Sequence, residues 1–144
     1  MAILVEEATA VTPELVAAFR RLTPQLSKSA PVPGGAELAD MVRSPCTILL
    51  LARDGEKDIV GAMALVVFRI PTGVRAWIED VVVDQECRGR GVGEILCREA
   101  LNRASALGAR TVDLTSRPSR EAANRLYRRL GFALRDTNVY RWSG

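Results

Sequence analysis

Val81-Val82-Val83-Asp84-Gln85-Glu86-Cys87-Arg88-Gly89-Arg90-Gly91-Val92-Gly93 runs from one kind of periodicity to another. The valines belong to a strand, Val74 to Asp84, because β-branched residues suit a pleated surface. From Val92 the period becomes helical, with Val92, Leu96, Ala100, Ala104 and Leu107 on one face and Gly108 placed to end the helix. Between them, Gly89, Gly91 and Gly93 let the backbone come close to an anion. The first N–H groups of the helix point the same way. Arg88 and Arg90 add charged donors, which favours a diphosphate over a carboxylate.

Two common phosphate loops do not fit. A P-loop needs Gly-Lys-Ser/Thr, and here Glu94 follows Gly93. A dinucleotide-binding turn belongs to the first strand of its unit, whereas several strands precede this one.

Working outward, Ile3 to Glu7 is a first strand, and Thr12-Pro13-Glu14 opens a helix striped by Leu15, Phe19 and Leu22. Pro24 to Gly35 is expected to be a loop leading to a short helix near Glu37 to Val42. Cys46 to Arg53 and Ile59 to Ile70 form an antiparallel hairpin about the turn Asp54-Gly55-Glu56-Lys57. Downstream, Thr111 to Thr115 is a strand, Ser119 caps a helix bearing Ala123, Leu126 and Leu130, and Gly131 closes it. Phe132 to Arg135 and Val139 to Trp142 are expected as final strands. The fold class is therefore mixed α/β.

The composition, 48% hydrophobic and 26% charged over 144 residues, is that of one ordinary globular domain spanning 1–144. No secretory signal or membrane-length apolar run is read, so a cytoplasmic location without membrane attachment is expected. The net charge of +3 comes almost wholly from arginines spread along the chain, and no nucleic-acid motif accompanies it. Cys46, Cys87 and Cys97 lack disulfide or zinc spacing, and the chain has no histidine. Histidine triads and histidine-ligated metals are excluded, no metal is expected, and a general base must be of another type.

Arg88-x-x-Gly91-x-Gly93 after the strand containing Val81 and Val83, with the block Ala123-x-x-Leu126-Tyr127-x-x-x-Gly131-Phe132, resembles the GNAT acetyltransferase superfamily. The resemblance implies a central, mostly antiparallel mixed sheet of about six to seven strands flanked by about four helices. It also implies acetyl-CoA as cosubstrate and direct attack on its thioester by an amine. The backbone of Val81, Val82 and Val83 would then follow the pantetheine arm. The amides of Arg88, Gly89, Arg90, Gly91, Val92 and Gly93 would hold the pyrophosphate. Tyr127 stands where the family places the acid that protonates the departing thiolate. Arg120 stands where an asparagine is frequent, and Asn124, one turn later, is a substitute contact to the cofactor. Ser116 and Arg117 border the acceptor side.

Glu79 is the leading candidate base. Regular alternation would put Trp77, Glu79, Val81 and Val83 on one face, and Asp80 on the other unless a bulge intervenes. An ion pair of Glu79 with Arg69 or Arg75 is the competing role. Trp77, Trp142, Tyr140 and Phe68 read as core aromatics. The acceptor is a small-molecule amine or a protein amino group, and association as a homodimer is left open. A non-catalytic acyl-CoA-binding regulatory module is the alternative, since it would keep the same loop.

Overall fold

The computed structural model describes residues 2–55 and 58–144. In chain order these form β1 (Ile3–Glu7), α1 (Pro13–Leu26), α2 (Gly35–Arg43), β2 (Thr47–Asp54), β3 (Ile59–Ile70), β4 (Gly73–Val83), α3 (Val92–Ala106), β5 (Thr111–Asp113) and α4 (Glu121–Arg129). A single tight turn, Gln85–Cys87, lies between β4 and α3. The expected hairpin is β2–β3; Glu56 and Lys57 of its turn lie outside the described residues.

The sheet among the described residues has five strands in the order β1-β2-β3-β4-β5, fewer than expected. The first three pairings are antiparallel, and β4–β5 is parallel. The missing strands are those at 132–135 and 139–142. Leu134 is 92% and Trp142 89% exposed, and Val139 and Tyr140 are also on the surface. Alternation of side chains permits a strand, but a strand exists only where its N–H and C=O groups meet a ladder partner. Trp142 and Tyr140 are accordingly not core residues.

Two compact units divide the chain, Met1–Leu114 and Thr115–Gly144. In the first, each face of the sheet carries helices. Leu15, Ala18 and Leu22 of α1 and Leu38 of α2 pack with Leu49, Leu51, Ile59, Ala62 and Val82. On the opposite face α3 comes so close to Gly61 that a Cβ there would lie 3.2 Å from Val92 and 3.3 Å from Leu96. Leu50, Met63, Leu65 and Ile78, all buried, share that face by alternation.

Local rules account for the start of α1 and the ends of α3 and α4. Thr12 Oγ1 accepts from Leu15 N at 3.1 Å, with Pro13 as the first helical residue. The helix continues through Pro24 to Leu26, beyond the expected loop start, because a proline near the end forfeits only one helical bond. Gly108 and Gly131 follow α3 and α4 with φ of 85° and 100°, the left-handed geometry that ends helices. Ser119 does not cap α4; the capping position is Arg120, without a side-chain bond.

Arg53 ties β2 to both β1 and α1, donating to Glu6 Oε1 at 2.8 Å and Glu14 Oε2 at 2.7 Å. Its hydrogen bonds hold the Glu14 carboxyl below the ordinary carboxylate range.

The second unit contains α4, whose one buried side chain is Tyr127. The Tyr127 ring meets Phe132 edge-on, with centroids 5.8 Å apart, and Phe132 N donates to Tyr127 O at 2.9 Å.

Candidate active site

The register of β3 and β4 steps from Ala62↔Val82 to Ala64↔Glu79, so β4 carries one more residue than β3 at this point. Asp80 takes the strain of this bulge with φ of 54°, a left-handed geometry that aspartate tolerates better than most residues. The bulge reverses the faces. Glu79 lies in the row Leu49–Ala64–Glu79, on the side of α1 and α2, and Val82 lies in the next row with Leu51 and Ala62. Val83 pairs with Gly61 and so falls on the α3 side. Regular alternation, which would have put Val83 with Glu79, fails for this reason.

Glu79 is exposed and receives the Trp77 indole N–H on Oε1 at 2.5 Å. Its surroundings are therefore polar and open. Trp77 itself is half-buried. Of the arginines considered as ion-pair partners, Arg75 instead donates to Thr72 Oγ1 at 3.2 Å.

Beyond β4 the chain forms an open cradle. Arg88, Gly89, Arg90 and Gly91 are exposed, and Arg88 Nε donates back to Val83 O at 3.3 Å. Gly89 and Gly91 have φ of 80° and 78°, and a Cβ at either would meet nothing within 4 Å. Backbone conformation, not crowding, requires glycine at these two positions. The first helical bond of α3 runs from Ile95 N to Gly91 O at 3.1 Å, so the amides of Val92 and Gly93 have no acceptor within the helix. Two left-handed glycines before a helix start, with Arg88 ahead of them and Arg90 between them, suit a pyrophosphate.

The loop has anchors that sequence reading did not single out. Asp84 is buried, and its carboxylate accepts from Arg21 Nε of α1 at 3.1 Å and from Glu86 N at 3.2 Å. Gln25 Oε1 accepts from Gln85 N at 2.8 Å. The legible signal was Asp84 itself, an acidic residue ending an apolar strand, which needs a partner if buried.

Within the second unit, Asn124 Nδ2 donates to Arg117 O at 3.0 Å and braces the turn before α4. Ser116 Oγ is buried without a hydrogen-bond partner. An orphaned hydroxyl of this kind is where a ligand or water group finds its complement.

Cys97, on the buried face of α3, has its thiol pushed up to about 11, chiefly by burial and secondly by Glu94. Among the described residues no group of three or more potential metal ligands occurs, and no helix is long and apolar enough to cross a membrane.

Comparison with known proteins places this architecture in a class. The model of the Acetyltransferase (GNAT) family matches residues 13–132. The chain belongs to the GNAT acetyltransferase family. A search of curated proteins finds no match. Among solved structures, a transcriptional regulator from Bacillus halodurans C-125 is 25% identical with a TM-score of 0.83, over 99% of this chain and 100% of that one. An aminoglycoside acetyltransferase from an uncultured soil metagenomic sample, in complex with sisomicin, is 17% identical with a TM-score of 0.84, over 99% and 95% of the two chains. The structure of AAC(6')-Iy with the bisubstrate analogue CoA-S-monomethyl-acetylneamine is 16% identical with a TM-score of 0.80, over 100% and 99%.

Proposed function

We propose that the chain, acting as one domain, is an N-acetyltransferase that moves an acetyl group from acetyl-CoA to a primary amine of a small molecule. The observation that carries this reading is the cradle at Arg88 to Gly93, with Gly89 and Gly91 left-handed and open at the start of α3. Family membership supports acetyl-CoA as the donor. Two neighbours, one complexed with sisomicin and one with a coenzyme A–acetylneamine conjugate, support a small amine as acceptor.

In this reading the amides from Arg88 to Gly93 hold the pyrophosphate. The backbone of Val81, Val82 and Val83 follows the pantetheine arm, and Asn124 contributes a further polar contact. The amine nitrogen attacks the thioester carbon, forming a C–N bond. The C–S bond then breaks, and the sulfur leaves with the electron pair. Tyr127 donates a proton to that thiolate; phenol and thiol pKa values, about 10 and 8.5, are close enough for the transfer. Glu79 takes the proton lost by the amine, directly or through water. Its exposure on the α1 and α2 side of the sheet leaves it open to a neutral amine and to water.

A second reading, a non-catalytic acyl-CoA-binding regulatory module, is favoured by one observation, the similarity to a transcriptional regulator. The experiment that separates the two is thiol release from acetyl-CoA across a panel of amines, including aminoglycosides and polyamines. Release above background with at least one amine is expected. Thermal stabilisation by coenzyme A without release for any amine or protein extract would overturn the enzyme reading in favour of the module.

A further inference from the structure

We infer that Arg21 and Gln25 of α1 are positioning residues for the pyrophosphate loop, acting through Asp84 and Gln85. The inference rests on reading Arg88 to Gly93 as a coenzyme A pyrophosphate site, and says what holds that site in place.

A loop with two left-handed glycines and four successive exposed residues is entropically costly to hold in one shape. Anchoring where it leaves the sheet lowers that cost. The backbone of Asp84 donates to Val60 O and accepts from Cys87 N, both at 2.8 Å, closing the tight turn. The Asp84 carboxylate, with 12% of its side chain exposed, takes Arg21 Nε on one oxygen and Glu86 N on the other. A carboxylate so enclosed requires charged or N–H donors, and here it has both.

Arg21 does more than neutralise it. Its Nη2 also donates to Ile59 O at 2.5 Å, at the start of β3. One guanidinium therefore fixes Asp84 relative to the sheet as well as to α1. Gln25 lies one turn further along the same helix face. Its amide group donates to Arg21 O at 3.3 Å while its oxygen receives Gln85 N. The loop is thus tied to α1 at two successive residues, Asp84 and Gln85, one tight turn before Arg88.

An ordinary helix-to-sheet ion pair would stabilise the fold without touching ligand affinity, so the readout must separate the two. Coenzyme A itself is the probe, with affinity measured by calorimetry and steady-state constants measured with the best amine. Arg21→Met and Gln25→Ala are each expected to weaken coenzyme A binding and raise KM for acetyl-CoA by about five- to tenfold. The kcat at saturating acetyl-CoA and the KM for the amine should stay at parental values. Adding Asp84→Asn to Arg21→Met should cost less than the sum of the single effects, because the two side chains act as one contact.

Gln25→Ala, which removes only neutral hydrogen bonds, keeps the test valid if Arg21→Met folds poorly. If the parent binds coenzyme A and Gln25→Ala binds it equally well with an unchanged KM, the positioning role is overturned while the site reading stands. A lowered melting temperature with unchanged coenzyme A affinity would overturn it in the same way. If the parent itself fails to bind coenzyme A, the site reading falls and this inference falls with it.

Discussion

The two units of the chain bury their apolar residues very differently. In Met1–Leu114, rows of aliphatic side chains on both faces of the sheet are closed by helices, and Leu22, Leu38, Leu50, Leu65 and Leu96 are all 0% exposed. Among the described residues of Thr115–Gly144, Tyr127 is the one buried large hydrophobic residue, whereas Leu134, Val139, Tyr140 and Trp142 lie on the surface. A nine-residue helix is too short to persist on propensity alone. The contrast teaches that burial and the proposed chemistry are apportioned unequally: the first unit carries the core and the proposed pyrophosphate loop, and the second carries Tyr127, the proposed acid.

The sharpest way to break this contrast is Leu50→Ala. It should cost about 2–5 kcal/mol in chemical denaturation, since a fully enclosed aliphatic side chain leaves a cavity. A loss below about 1 kcal/mol would show that the first unit is not the stabilising one. Next comes Tyr127→Phe, which should lower kcat by about a hundredfold, the scale of general acid catalysis, while coenzyme A affinity stays close to the parent's. Unchanged turnover would remove the second unit from the chemistry.

Gly91→Ala should raise KM for acetyl-CoA by about tenfold, because forcing a Cβ into φ of 78° costs about 1–2 kcal/mol. An unaltered KM would mean that the left-handed turn does not hold the ligand. A smaller effect follows from Cys97. Its folded thiol titrates at about 11 against an ordinary 9.0, so between those values the unfolded chain binds fewer protons than the folded one. Stability should therefore be intact below pH 9 and fall as pH rises toward 11, and Cys97→Ala should flatten that slope in denaturation curves. Smallest of all, Trp142→Ser should change stability by less than about 0.5 kcal/mol despite the size of the side chain. A larger loss would show that Trp142 does not keep its surface position in the folded protein.

Much of the candidate site was legible because its requirements are local. A glycine needed for a left-handed backbone, an arginine beside it and the first turn of an amphipathic helix all lie within a few residues, so Arg88 to Gly93 could be read from spacing. Tyr127 depended on a second block at a distance, which resemblance supplied and periodicity could not. Glu79 was found for its residue type, but its face was assigned by an alternation that the bulge at Asp80 interrupts. Nothing in the stretch from Trp77 to Val83 announces a bulge, because the extra residue is defined by the partner strand. Arg21 and Gln25 were invisible for a similar reason: their partners lie 63 and 60 residues away.

By itself the sequence determined the order of helices and strands in the first 114 residues, the helix boundaries set by Thr12, Gly108 and Gly131, and the left-handed glycine turn before α3, since each depends on conformational preferences of residues close together in the chain. Only the tertiary structure decided the β4 bulge, the face that Glu79 occupies, the anchoring of Asp84 to α1, and the fate of the segments at 132–135 and 139–142. Those features depend on backbone groups finding partners far away in sequence. A pattern of side chains can permit such a pairing but cannot make it.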